Sequence, residues 1–145
     1  MKNILVPFDF SPYAHLAFKK AKEIAKKFDS KISLLSVIGS DIDTSGMDWA
    51  RAQDAHDEKE FNVKTELSKI IEDDPDKDLD VSVNLVHDPS PSEGILSFAK
   101  NNNIDLIIMG SHGRSGFKKL VLGSVASSVV TKSESPVLIV KQLKN

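Results

Sequence analysis

The sequence predicts an α/β domain built on an open parallel sheet with helices on both faces, and three observations lead there. Short segments that are apolar on nearly every residue, such as Ile4-Leu5-Val6 and Leu106-Ile107-Ile108-Met109, alternate along the chain with longer segments at helical spacing. Strands of that kind are buried on both faces, which is what a parallel sheet under two helical layers requires. No repeat or linker interrupts the 145 residues, a length that buries a sizeable core, so one domain over 1–145 is expected.

The elements follow in order. Ile4-Leu5-Val6 reads as the first strand. Ser11 is a suitable N-cap and Pro12 suits the first helical position. Ala14, Ala17, Phe18, Ala21, Ile24, Ala25 and Phe28 then recur at helical spacing, with lysines 19, 20, 22, 26 and 27 on much of the other face, and Asp29-Ser30 ends the run. Ile32 to Ile38 is the second strand. After a polar loop from Gly39 to Gly46, a helix is expected from Trp49 to Glu72, with Phe61, Leu67, Ile70 and Ile71 as its core contacts. Asp73 to Asp80 is an acidic turn, and Val81, Val83 and Leu85 alternate as a third strand. Beyond Pro89 and Pro91 a short helix carries Ile95, Leu96, Phe98 and Ala99. Ile104 and Leu106 to Met109 form the fourth strand, Ser124 to Thr131 the last helix, and Val137 to Val140 the fifth strand. Right-handed crossovers constrain how this β-α-β-α-β-α-β-α-β order winds. Ligands in such sheets bind beyond the carboxyl ends of the strands, here Asp9, Gly39, His87 to Pro91, and Gly110 onward.

Composition excludes several classes of function. Lys plus Arg number 19 and Asp plus Glu 21, so the net charge of −2 gives no reason to expect nucleic acid or an acidic membrane as partner, and it leaves self-association open. With no cysteine there is no disulfide framework and no thiolate metal site. The apolar run at Ile4 is too short for a signal-peptide core and no stretch has the length of a membrane span, so the cytoplasm is the expected location. Histidines 15, 56, 87 and 112 lack zinc spacing. Asp74-x-Asp76-x-Asp78 begins like a calcium loop, but Leu79 and Leu85 stand where glycine and glutamate are required. No Gly-Lys-Ser/Thr phosphate loop and no Gly-x-Ser-x-Gly elbow occurs.

The most unusual composition runs from Gly110 to Ser124. Gly110 and Gly113, directly after the fourth strand, are read as positions of positive φ that also admit a ligand close to the backbone. Gly123-Ser124 opens a helix, whose first amides are unpaired and partly positive, a seat for phosphate. Arg114, Lys118 and Lys119 bring three positive charges within six residues, an arrangement that suits a polyphosphate. Each feature has a plainer reading: glycines after a strand make turns, Gly123-Ser124 caps a helix, the two lysines are solvated, and His112 is an exposed loop residue.

The pattern Gly110-x2-Gly113-x9-Gly123-Ser124 resembles the ATP-binding motif of universal stress proteins. The resemblance extends to Ile4-Leu5-Val6-Pro7-Phe8-Asp9-Phe10-Ser11, to Asp105-Leu106-Ile107-Ile108-Met109-Gly110, and to Ser135-Pro136-Val137-Leu138-Ile139-Val140. It implies a Rossmann-like sheet of five parallel strands in the order 3-2-1-4-5, with an adenine nucleotide, ATP or else ADP or AMP, across the ends of strands one, two and four. By that resemblance Asp9 lies near the base or ribose, the Val37 backbone near the adenine edge, and Met109 and Gly110 beside the ribose. Gly113, Arg114, Gly123, Ser124 and Val125 surround the phosphates, and Pro7, Ser111 and His112 complete the binding set. Mg or Mn would accompany the nucleotide, held mainly through phosphates and water. A homodimer is implied through the last strand, Val137 to Val140. The residues themselves also permit Asp9 as a loop carboxylate that starts the first helix, Val37 as core packing, and an edge strand covered by its own chain. One departure from the resemblance is visible: members of that family tend to carry Gly-x-Pro before the third helix, and here Pro89 holds the glycine place in Asp88-Pro89-Ser90-Pro91.

Three functions compete: a nucleotide-dependent regulatory module read by a partner, a slow ATPase or autokinase, and a dimeric interaction protein indifferent to nucleotide. Arg114 would serve the charge in phosphoryl transfer and Ser111, Ser115 and Ser124 are conceivable acceptors, but no base is evident beside the expected γ-phosphate, which favours the binding module.

Overall fold

The computed structural model describes residues 1–39, 44–113 and 122–142. Nine elements follow one another: β1 (Asn3–Pro7), α1 (Pro12–Phe28), β2 (Lys31–Ile38), α2 (Trp49–Glu72), β3 (Val81–His87), α3 (Pro91–Asn101), β4 (Leu106–Gly110), α4 (Ser124–Lys132) and β5 (Val137–Val140). The five strands form one sheet in the order β3-β2-β1-β4-β5, and every neighbouring pair is parallel. The expected fold and strand order are therefore present.

Side-chain alternation along each strand splits the apolar residues between two cores. Ile4 and Val6 of β1, Ile32 and Leu34 of β2, and Leu106 and Ile108 of β4 meet Ala14, Ala17, Phe18 and Ala21 of α1 and Leu67 of α2. Leu5, Leu35, Ile107 and Met109 point the other way, to Ile95 and Ala99 of α3 and Ala126 and Val129 of α4. The chain winds outward from β1 to β3, returns through α3, and continues outward to β5. Winding thus reverses between β1 and β4, which opens a crevice at the carboxyl ends of these strands. At the other end, the Asp105 carboxylate accepts hydrogen bonds from the amides of Asn3 and Lys2 at 2.8 and 2.9 Å, fixing the entry to β4 beside the start of β1. The Asn3 and Lys2 amides hold the Asp105 carboxyl below its ordinary value.

The start of α1 obeys its sequence. Ser11 accepts from the Ala14 amide at 3.1 Å, Pro12 follows in the first turn, and the helix closes on Asp29 in the left-handed region, φ 54°. Two expected core contacts fail. Phe61 is 68% exposed. It lies six residues before Leu67, or 600° of helical rotation at 100° per residue, which puts it off the buried line. Phe28 is the final residue of α1, past the last buried one, Ala25, and it is exposed too.

The acidic turn after α2 ties α1 to α2. Lys22 pairs with Asp74 at 2.5 Å and Lys26 with Asp76 at 2.8 Å. Burial works against charge on Asp74. The hydrogen bond from Lys22, the amide of Asp76 and the charges of Lys22 and Lys77 outweigh it, so its carboxyl sits below the ordinary 3.8. A carboxyl depressed in the folded state contributes stability that is complete above the unfolded value and vanishes as pH falls through the folded one. Asp74→Asn is therefore expected to melt below the wild type at about pH 7, with the gap closing as pH drops below about 4. Melting curves across that range check this, and a gap that stays constant to acid pH refutes it.

Candidate functional site

The crevice between β1 and β4 widens into a cavity of about 910 Å³, near the upper end of the 300–1,000 Å³ range of ligand sites. Its floor is the carboxyl ends of β1, β2 and β4. One side is the β1–α1 turn from Pro7 to Ser11, and another is the start of α4.

The β1–α1 turn is built around Asp9. One carboxylate oxygen, Oδ1, accepts from the Ser11 amide at 3.0 Å. This turn places Phe10 at φ 66°, a conformation that costs a non-glycine residue on the order of 1–3 kcal/mol and persists only where the surroundings enforce it. Part of that enforcement is visible: the Phe10 ring meets Phe8 edge-on at 5.1 Å, and Phe8 is itself buried. The other carboxylate oxygen, Oδ2, faces across the crevice to Gly113, where an added Cβ would come within 2.8 Å of it. Asp9 thus starts α1 with one oxygen and borders the cavity with the other.

The opposite wall is the segment after β4 and the entry to α4. Ser111 is buried behind it: its amide donates to Val140 at 3.0 Å, its carbonyl accepts from the Gly123 amide at 2.7 Å, and its hydroxyl lies 3.0 Å from His112 Nδ1. The His112 ring tilts against Tyr13 at 5.4 Å. The bond from Gly123 to Ser111 brings the start of α4 against the end of β4. Helices α1, α2 and α3 have N-caps, Ser11, Asp48 and Ser90, whose side chains accept a backbone amide. Gly123 caps α4 without any side-chain acceptor, and the first turn of α4 contains no acidic residue. Ser124, Val125 and Ala126 of that turn line the cavity. Such an end favours an anion through its amide donors and its partial positive charge.

The glycines act differently from expectation. Among the described residues Gly46 is the glycine with positive φ, at 77°, so Gly110, Gly113 and Gly123 are not there for a left-handed backbone. They are there for close approach. A Cβ on Gly110 would lie 2.5 Å from Tyr13 Cβ and 2.9 Å from the Tyr13 carbonyl carbon and oxygen, so this glycine admits the first turn of α1 against β4. One on Gly123 would lie 3.3 Å from His112 Cα.

Of the candidate residues, Pro7, Asp9, Val37, Met109, Gly110, His112, Gly113, Gly123, Ser124 and Val125 line this one cavity. Ser111 supports the wall from behind, and Arg114 lies outside the described residues, as do Lys118 and Lys119. The Val37 side chain packs on α3, where a Cβ on Gly94 would touch both its methyls within 2.9 Å. Pro89 stands on the rim with Pro91, in a turn closed by Asp88, whose carboxylate accepts from the Ser90 amide at 2.8 Å. Sequence reasoning missed Phe10, Lys59 and Val63, which also line the cavity. Val63 was findable, one helical turn before Leu67 on the same face. Lys59 carries no signal of its own. Among the described residues no group of three or more His, Cys, Asp or Glu is placed to hold a metal, and no helix is long and apolar enough to cross a membrane.

Residues 1–141 match the model of the universal stress protein family. Universal stress protein MJ0577 of Methanocaldococcus jannaschii is 34% identical over 97% of this chain and 95% of its own length. YxiE of Bacillus subtilis is 34% identical over 96% and 98%. The solved structure of MJ0577 superposes with a TM-score of 0.70 at 32% identity, covering 99% of this chain and 98% of that one. The universal stress protein of Archaeoglobus fulgidus in complex with dAMP shares the fold, with a TM-score of 0.66 at 20% identity over 96% and 97%. With its sheet order, its Gly110-x2-Gly113-x9-Gly123-Ser124 spacing and these matches over nearly its whole length, the chain belongs to the universal stress protein family.

Proposed function

We propose that the cavity binds an adenine nucleotide, ATP in the first instance, and that the bound nucleotide sets the shape in which the protein meets its partners. The observation that carries this is the start of α4: a helix end with no side-chain cap and no acidic residue in its first turn, open to a cavity of nucleotide size. The phosphates would rest on the amides of Gly113, Ser124 and Val125, with Arg114 near them. The base would lie toward Asp9 and Val37, and the ribose beside Met109 and Gly110. The binding of dAMP by a protein of the same fold is in keeping with that reading. Mg or Mn fits this donor set only as a companion of the phosphates, because Asp9 is the one carboxylate on the described lining. A ligand that prefers one conformation shifts the population by its differential affinity. Pairing of two copies through β5 belongs to the same proposal. β5 is an edge strand, and it exposes Leu138 while the adjoining α4 exposes Val130.

Ser124→Asp tests the anion seat by the sign of two effects. A carboxylate in the first turn of α4 complements the helix dipole and is expected to leave stability equal or raise it by about 0.3–1 kcal/mol. The same charge repels phosphate and is expected to weaken MgATP about tenfold, about 1.4 kcal/mol, by calorimetry. Unchanged MgATP affinity in a variant that folds as well as the parent would remove the phosphate from α4. No MgATP binding by the wild type at millimolar concentration would remove the nucleotide altogether.

A further inference from the structure

Ser111 and His112 form a unit at the wall of the cavity. Ser111 is 2% exposed, too buried to meet a ligand itself, and its hydroxyl lies 3.0 Å from Nδ1 of His112. Its backbone is held on two sides, by the bond its amide donates to Val140 of β5 and by the bond its carbonyl accepts from Gly123. His112 does line the cavity. A Cβ on Gly123 would come within 3.3 Å of the His112 Cα, which puts the histidine beside the start of α4. The first turn of α1 bounds the imidazole as well, through the Tyr13 ring at 5.4 Å. A ring held by a buried hydroxyl at one nitrogen and by an aromatic ring on its flank has little freedom to turn.

A hydroxyl donates or accepts, whereas a neutral imidazole has one donor and one acceptor nitrogen and an imidazolium has two donors. The Ser111 hydroxyl can donate to Nδ1 when the ring is neutral, which leaves the ring proton on Nε2, and accept from Nδ1 when the ring is charged. The bond survives either way. We propose that Ser111 is a positioning residue that holds His112 against the phosphates of the nucleotide in both protonation states, and that binding of the phosphates draws a proton onto His112. An anion next to an imidazole favours its charged form, and imidazole is the side chain that changes charge near neutral pH. Among the described residues, the titratable groups around the ring are Tyr13 of α1 and Asp9, which borders the cavity from the β1–α1 turn with Oδ2 toward Gly113. β4 and β5 bring Gly110 and Val140 there, and the first turn of α4 has no acidic residue. Arg114, Lys118 and Lys119 lie outside the described residues. The inference rests on the nucleotide reading and adds to it a charge that the ligand itself controls.

A ring that gains a proton on binding adds its full share of affinity below the pH at which the unliganded ring titrates, and loses it as pH rises through the titration of the complex. The wild type is expected to bind MgATP roughly five- to tenfold more tightly at about pH 6 than at about pH 8.5, the span of a shift of about one unit. Calorimetry at about pH 7 in buffers of low and high ionisation enthalpy should show uptake of part of one proton. His112→Gln keeps a donor at the wall but holds no extra proton, and should show neither the uptake nor the pH dependence. The same variant subtracts any proton taken up by the nucleotide. Ser111→Ala lets the ring turn away and should lose most of the pH dependence, and Ser111→Thr, which restores the hydroxyl, should recover it. Should Ser111→Ala fail to fold, His112→Gln, at the cavity wall, decides the outcome. No MgATP binding by the wild type overturns the nucleotide reading and this inference together. Binding without proton uptake, or uptake that persists in His112→Gln, overturns this inference alone. An unchanged pH profile in folded Ser111→Ala removes Ser111 from it.

Discussion

Gly110→Ala is expected to destabilise the protein by about 3 kcal/mol or more, the upper range for overpacking a rigid site. The new methyl would meet the Cβ of Tyr13 at 2.5 Å and its carbonyl carbon and oxygen at 2.9 Å, so the obstacle is largely backbone and cannot rotate away. Relief requires the first turn of α1 to lift from β4. That turn carries Ala14, and the next carries Ala17, both buried in the core with Ile4, Val6 and Ile108, so lifting the start of α1 opens one of the two cores. Neither side can yield alone: Gly110 pairs with Val140 of β5, and the α1 turn is held by the Ser11 cap and by the bond from Ser11 to Asp9. Urea unfolding of the two proteins measures the difference. A variant within about 0.5 kcal/mol of the parent, the range of ordinary surface changes, would mean that α1 does not lie against β4 in this way.

Gly123→Val is expected to weaken MgATP by about a hundredfold or more, roughly 2.7 kcal/mol, with a smaller loss of stability. The first added carbon would be 3.3 Å from His112 Cα and 3.4 Å from the Ser111 carbonyl oxygen, and the two valine methyls extend further. Gly123 cannot retreat, because its amide donates to that same carbonyl at 2.7 Å. The strain therefore falls on His112 and Gly113, which line the cavity where the proposed phosphates would sit. Gly123→Ala should lie between valine and the parent. Calorimetric titration decides it, and near-parental affinity in a folded valine variant would place the nucleotide elsewhere.

Most of the fold is legible in the chain, for physical reasons that differ by element. The strands are short apolar runs bounded by Ser, Asp, Gly or Pro, and burial on both faces leaves them little freedom to be anything else. The start of α1 was equally readable, since Ser11 and Pro12 each have one good use there. Phe61 is apolar but lies about 120° around α2 from Leu67, so its size alone does not place it in the core. The cavity lining was legible in its glycines, Gly110, Gly113 and Gly123, but not in their reason. Spacing marks positions where side chains are excluded, yet whether the exclusion comes from φ or from a neighbour such as Tyr13 depends on tertiary contacts. Phe10 was unreadable for the converse reason: a phenylalanine gives no hint of a left-handed backbone. Lys59 lines the cavity only because α2 lies over the end of β2, and no local pattern encodes that.

The place of β4 beside β1 has a consequence during synthesis. As the chain emerges, β1, β2 and β3 can associate with α1 and α2 in sequence, since each strand pairs with its successor. The other edge of β1 finds its partner only when residues 106–110 have been made, and that pairing begins at Ile4 with Leu106. Until then the innermost strand of the finished sheet is an outer one, with Leu5 still lacking the neighbours that later bury it. A nascent chain halted before β4 would therefore offer an adhesive apolar edge to other unfinished chains or to chaperones. Release of residues 105–110 from the ribosome is the step that closes it.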